Sequence, residues 1–116
     1  MKIVIAALLL TPACASAYAA GAIKPSEAAS QEGSLVIVEG TADVHDDSGR
    51  PGVDITLTGS DNSHMTAFVP TQAKNLFPDL GSYSGKTVDV TGVVAFNSGR
   101  PVIRVMRANQ LKLASP

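Results

Sequence analysis

The sequence predicts an all-β domain: a five-stranded barrel with one short helix inserted between the third and fourth strands. Three observations carry that reading. Five runs of β-branched and other apolar residues alternate with polar ones at a period of two, the mark of half-buried strands. One segment between the third and fourth runs switches to helical spacing. Finally, Val36-x-Val38-x-Gly40 leading to Ser48-Gly49-Arg50-Pro51 returns as Val88-x-Val90-x-Gly92 leading to Ser98-Gly99-Arg100-Pro101.

The chain has 116 residues, and its start reads as a leader. Met1-Lys2 is a short basic opening, Ile3 to Leu10 is unbroken apolar sequence, and Thr11-Pro12 ends it. Ala15-Ser16-Ala17 and Ala17-Tyr18-Ala19 both fit the small-x-small cleavage rule, so residues 1–20 are expected to be a secretory signal peptide. The apolar run falls far short of the ~20 residues that span a membrane, so no stable membrane insertion is expected after cleavage. Cys14 is the single cysteine. Thr11 and Pro12 stand where a lipid-attachment signal needs Leu and a small residue, so ordinary cleavage would remove it. The expected location is periplasmic or secreted, and a thiol-free mature chain suits an oxidising compartment. Residues 21–33, rich in Ala, Ser, Glu and Gln, lack apolar periodicity and read as a flexible tether. Residues 34–113 are left to build the domain.

The first strand places Val36, Val38, Ala42 and Val44 on one face, with Gly40 among them. In the second, Val53, Ile55 and Leu57 alternate with Asp54, Thr56 and Thr58, and in the third Met65, Ala67 and Val69 alternate with Thr66 and Phe68. The fourth turns Val88, Val90, Val94 and Phe96 inward, and the fifth Ile103 and Val105, with Val102, Arg104 and Met106 outward. Between the third and fourth, Ala73, Leu76, Phe77 and Leu80 follow i, i+3, i+4, i+7 spacing, which predicts a short amphipathic helix that Pro78 must end or bend. Five strands with a helix after the third is the OB-fold order. The mid-strand glycines suit strands that must bend sharply to serve both sides of a small barrel.

Gly85-Lys86-Thr87-Val88-x-Val90-x-Gly92-x-Val94, followed by Gly99-Arg100-Pro101-x-Ile103 and Gln110-Leu111, resembles bacterial OB-fold nucleic-acid-binding domains of the anticodon-binding-like type. Such domains occur in secreted nucleases and as small exported proteins. The resemblance spans about residues 34 to 113, and its motifs are mostly structural.

OB-folds bind oligonucleotides or oligosaccharides on the face of strands two and three, flanked by the loops joining strands one to two and four to five. Arg50 and Arg100 fall on those two loops, in matching Ser-Gly-Arg-Pro turns. Guanidinium pairs with phosphate or stacks on bases; as plain turn grammar, the same letters need only Gly for positive φ and a solvated Arg. Thr56, Thr66 and Phe68 are expected on the outer face of strands two and three, with Phe68 as the stacking platform, and Arg104 beside Arg100 on strand five. Phe77 and Phe96 are assigned to the core.

Charge tempers this expectation. From Gly21 onward eight basic residues face ten acidic ones, whereas strong non-specific binders of nucleic acid are usually basic. From Asn97 onward, however, there are four bases and no acid. Single-stranded nucleic acid or another polyanion, weakly held, is the expected partner. The alternative is a periplasmic interaction or stress protein that takes a protein, small ligand or cation through Asp43-Val44-His45-Asp46-Asp47 and Asp61-Asn62-Ser63-His64. These segments lack the spacing of known cation loops and are ordinary turn formers, so no metal or cofactor is expected. No Gly-x-Ser-x-Gly elbow or surviving thiol is present, so no catalytic residue is expected.

Overall fold

A computed structural model describes residues 21–46 and 51–114; the signal-peptide reading, Cys14 and Arg50 lie outside these residues. The described chain forms β1 (Leu35–His45), β2 (Gly52–Thr58), β3 (His64–Pro70), β4 (Thr87–Asn97), β5 (Arg100–Arg104) and β6 (Leu111–Leu113). They lie in one sheet of order β1-β2-β3-β5-β4-β6, and an added β1–β4 pairing closes it into a barrel. β3 and β5 run parallel and the other ladders antiparallel. This is the OB-fold, with a short sixth strand appended to β4.

Closure depends on β1 and β4 each serving two partners. Leu35 to Thr41 pair with β4, and Thr41 to His45 pair with β2. Gly40 sits at that changeover, where an added Cβ would lie 3.1 Å from the Thr58 backbone. β4 makes the same exchange: Thr87 to Val93 face β1, and Val94 to Asn97 pair with β5. At Gly92 an added Cβ would come within 2.4 Å of Ile103 Cγ2. Both glycines therefore permit close approach where a barrel strand bends.

The period-two residues fill the interior. Val38, Val53, Ile55, Leu57, Ala67, Val69, Val88, Val90, Ile103 and Val105 are fully buried, each aliphatic chain larger than Ala contributing ~1.5–3 kcal/mol relative to exposure. Phe77 also joins the core, as expected, but Phe96 does not, remaining 38% exposed. Its strand parity is inward, yet it pairs with Pro101 on the β4–β5 hairpin, beyond the Val94–Ile103 pair that ends the packed wall.

The connection after β3 holds two 3-10 helices, Thr71–Leu76 and Leu80–Tyr83, where one amphipathic helix is expected. Pro78 supplies no N–H and pushes Phe77 out of helical geometry, to φ −128° and ψ 76°. Ala73, Phe77 and Leu80 still reach the core, while Leu76 is exposed. Ser84 Oγ accepts from Val44 N–H at 2.8 Å, and Gly85 N–H donates to Ala42 O at 2.8 Å, pinning this segment to β1.

The described α-helix, α1 (Pro25–Ala28), lies within the stretch whose composition reads as a tether. Pro25 at its first turn suits the fixed φ of that position, and Pro25 and Ala28 are buried. Ile23 N–H donates to Ile37 O at 2.7 Å, Glu39 N–H to Ile23 O at 2.9 Å, and Gly33 N–H to Val94 O at 2.8 Å. Asp61 fastens the helix to the β2–β3 hairpin. It accepts from the Ser26 hydroxyl at 2.8 Å and the Ser63 hydroxyl at 2.6 Å. Those bonds, Ser63 first and Ser26 next, hold its carboxyl down at about 2. At the other end Gln110 joins three segments: its Oε1 accepts from Met106 and Arg107 N–H, and its Nε2 donates to Thr91 and Arg104 carbonyls.

Candidate nucleic-acid interface

The outward residues of β2, β3, β5 and β4 line up in rows across the strands. One row runs Asp54, Phe68, Arg104; the next runs Thr56, Thr66, Val102, Ala95. Alternation puts these residues outside because their neighbours Ile55, Ala67 and Ile103 are fully buried. Together with Asn97, Ser98 and Arg100, most of them line a groove of about 530 Å³.

Phe68 is the centre of that groove and faces outward as its parity predicts. Its ring lies over Gly52, diagonal to it across β2 and β3: a Cβ at Gly52 would stand 2.7 Å from Phe68 Cζ and 2.5 Å from Val69 O. Glycine here therefore gives the ring a flat seat on the sheet. Arg104 is the register partner of Phe68, with its guanidinium carbon 6.0 Å from the ring centroid, the outer limit of a cation–π contact.

Arg100 is placed by the β4–β5 hairpin. Asn97 pairs with Arg100, and the two residues between them, Ser98 (φ 56°) and Gly99 (φ 80°), are both left-handed. That is the two-residue turn whose twist matches a hairpin, and it asks for glycine at one position. Thus Gly99 acts as turn grammar, while the exposed Arg100 is delivered to the groove rim. Four expected site residues, Thr66, Phe68, Arg100 and Arg104, line one concavity. Thr56 adjoins it as the register partner of Thr66, and Arg50 lies outside the described residues.

Asp54, Ala95, Asn97, Ser98 and Val102 complete the lining. Val102 and Asp54 are outward by parity, so the sequence pattern marks their side of the sheet. What parity omits is the pairing of β3 with β5, which brings residues about 36 positions apart into one row. Asp54 places a carboxylate beside the platform, against two arginines among the described lining residues.

The acidic loops have other employment. Asp61 is taken by Ser26 and Ser63, Asp46 pairs with Lys74 Nζ at 3.0 Å, and Asp43 lies 3.2 Å from His45 Nε2. Among the described residues no three His, Cys, Asp or Glu side chains converge as a metal site would need.

Comparison with known proteins matches no family model and no curated relative. Among solved structures, the fold is similar to that of U. maydis Replication protein A bound to ssDNA. The TM-score is 0.52 with 22% identity, over 82% of this chain and 72% of that one. This likeness supports the OB-fold independently of the strand pattern.

Proposed function

We propose that the protein is a non-catalytic, exported OB-fold module that binds single-stranded nucleic acid, or another anionic polymer, weakly on the β2-β3-β5-β4 face. The observation that carries this reading is the triplet of Phe68, Arg104 and Arg100 in one groove: an aromatic face and two cations for a base and its phosphates. The gap of 6.0 Å between Arg104 and the ring is slightly under twice the ~3.4 Å rise of stacked nucleotides. A small outward swing of Arg104 would let a base lie between the two groups.

The affinity follows from the inventory. One platform contributes ~1–3 kcal/mol, and the groove carries few charges, so a Kd in the ~10⁻⁴–10⁻⁶ M range of non-specific binding is expected. Support for the fold comes from the similarity to an OB-fold protein solved with ssDNA; the export reading rests on residues 1–20 of the sequence. Reversing Arg50 and Arg100 together (Arg50→Glu, Arg100→Glu) should abolish binding of a fluorescent single strand while circular dichroism keeps the β signature. Undiminished affinity in that folded double variant would remove the face from consideration.

A further inference from the structure

Beyond the β4 edge of the groove the surface continues into a second concavity of about 510 Å³ that shares Ala95 and Arg104 with the first. Its floor is apolar and open: Leu35 is 61% exposed, its register partner Val93 53%, and Met106 40%. Arg107 stands on its rim, and among the described residues no acidic one lines it. These exposed aliphatic side chains are gathered in one place rather than scattered singly over the surface.

We infer that this second concavity is an extension of the polyanion path, so that a bound strand runs from Phe68 across Arg104 and over Val93 and Leu35, with Arg107 beside it on the rim. The inference rests on the proposed binding face and lengthens it. Three features favour the same ligand over an unrelated occupant. Arg104 is common to both concavities, so a phosphate held there is shared. The direction is continuous, since β3, β5, β4 and β1 are successive strands, and crossing them covers about 14 Å at the ~4.8 Å strand spacing. The charged residues among its described lining, Arg104 and Arg107, are both cationic. With no aromatic among the described lining residues, bases are predicted to pack on Leu35, Val93 and Met106 without discrimination, while Arg107 takes a phosphate.

The backbone around Arg107 is held independently of its side chain, because Gln110 Oε1 accepts from the Met106 and Arg107 N–H groups at 2.7 and 2.9 Å. Arg107→Glu and Met106→Glu are therefore surface changes. Fluorescence anisotropy with oligothymidylates of about four and about ten nucleotides, lengths within the range OB-folds occupy, separates the two parts of the path. The full chain should bind both. Each variant should hold the shorter oligonucleotide within twofold of the unmodified protein and lose roughly tenfold on the longer, the scale of one charge-assisted contact. Arg107→Glu should also flatten the salt dependence on the longer strand by about 0.7 in log–log slope. Longer-strand affinity unchanged in both variants, or both lengths weakened equally, would overturn the extension and leave the apolar floor to a protein segment or a second copy. Failure of the unmodified chain to bind either length would instead overturn the binding face itself, and the extension with it.

Discussion

Phe68→Ala separates the binding role of the groove from its structural one. In the fold the ring lies over Gly52 and faces the Arg104 guanidinium at 6.0 Å. Losing its cross-strand packing costs ~0.2–1 kcal/mol and the exposed cation–π contact ~0.5–1, together about 1–2 kcal/mol of stability. At ~4–8 °C per kcal/mol for a domain of this size, the melting temperature should fall by about 4–16 °C. A domain with at least ~5 kcal/mol in hand would remain over about 99% folded at 25 °C, so unfolding would not explain a binding defect. Loss of the platform should cost ~1–3 kcal/mol in affinity, a weakening of about 5- to 150-fold. Anisotropy with a labelled single strand measures the affinity, and thermal circular dichroism the stability. Phe68→Trp should bind at least as well as Phe68, and Phe68→Leu should resemble Phe68→Ala in binding while recovering part of the stability. A folded Phe68→Ala protein with affinity within twofold of the original would refute the stacking role.

Three further predictions concern the scaffold. Gly92→Ala forces a Cβ to 2.4 Å from Ile103 Cγ2 and 3.2 Å from Gln110 Nε2; overpacking of this kind costs ~1–3 kcal/mol, and an unshifted urea midpoint would contradict the bent-strand account. Asp61, depressed from 3.8 to about 2, contributes stability that is fully present above its ordinary value and lost as pH falls through about 2. Hydrogen-exchange protection factors of the Ile23 and Glu39 amides, taken relative to the intrinsic rate at each pH, should therefore stay high at pH 4 and fall near pH 2, and Asp61→Asn should remove that acid-dependent step. Glu39 faces Asp89 across β1 and β4, and its carboxyl is raised first by burial and then by the Asp89 charge and hydrogen bond. A raised carboxyl loses its stabilising share as pH rises through its folded value, so Glu39→Gln should raise the unfolding free energy from neutral-pH urea titration by roughly 0.2–1 kcal/mol, the range for opposed like charges.

Most of the barrel is legible in the sequence because Val, Ile and Leu at alternate positions leave one inward face for each strand. That same parity sets Phe68 and Arg104 outside, and the Ser-Gly turn letters place Arg100 on a hairpin. Legibility fails where a residue's fate depends on partners distant in sequence. Leu111–Leu113 pairs through only three residues, too short a run to show a period. Pro25 and Ala28 become core through docking of α1, for which two buried residues in a polar stretch give no repeating signal. Phe96 has the parity of a core residue but lies past the end of the packed wall. Helical spacing after β3 correctly marks Ala73, Phe77 and Leu80 as apolar anchors, while Pro78 divides the segment into two 3-10 helices. The seat that Gly52 makes for Phe68 requires knowing the β2–β3 register, which alternation alone does not specify.

The central claim, an electrostatic and stacking grip on a single strand, is tested most directly by the salt dependence of binding by the unmodified chain. Anisotropy with a labelled single-stranded oligonucleotide should give log Kobs falling linearly with log salt, by about 0.7 for each phosphate engaged, hence a slope near −2 if Arg100, Arg104 and a third arginine each hold one. Affinity that is absent at low salt, or present but indifferent to salt, would contradict it.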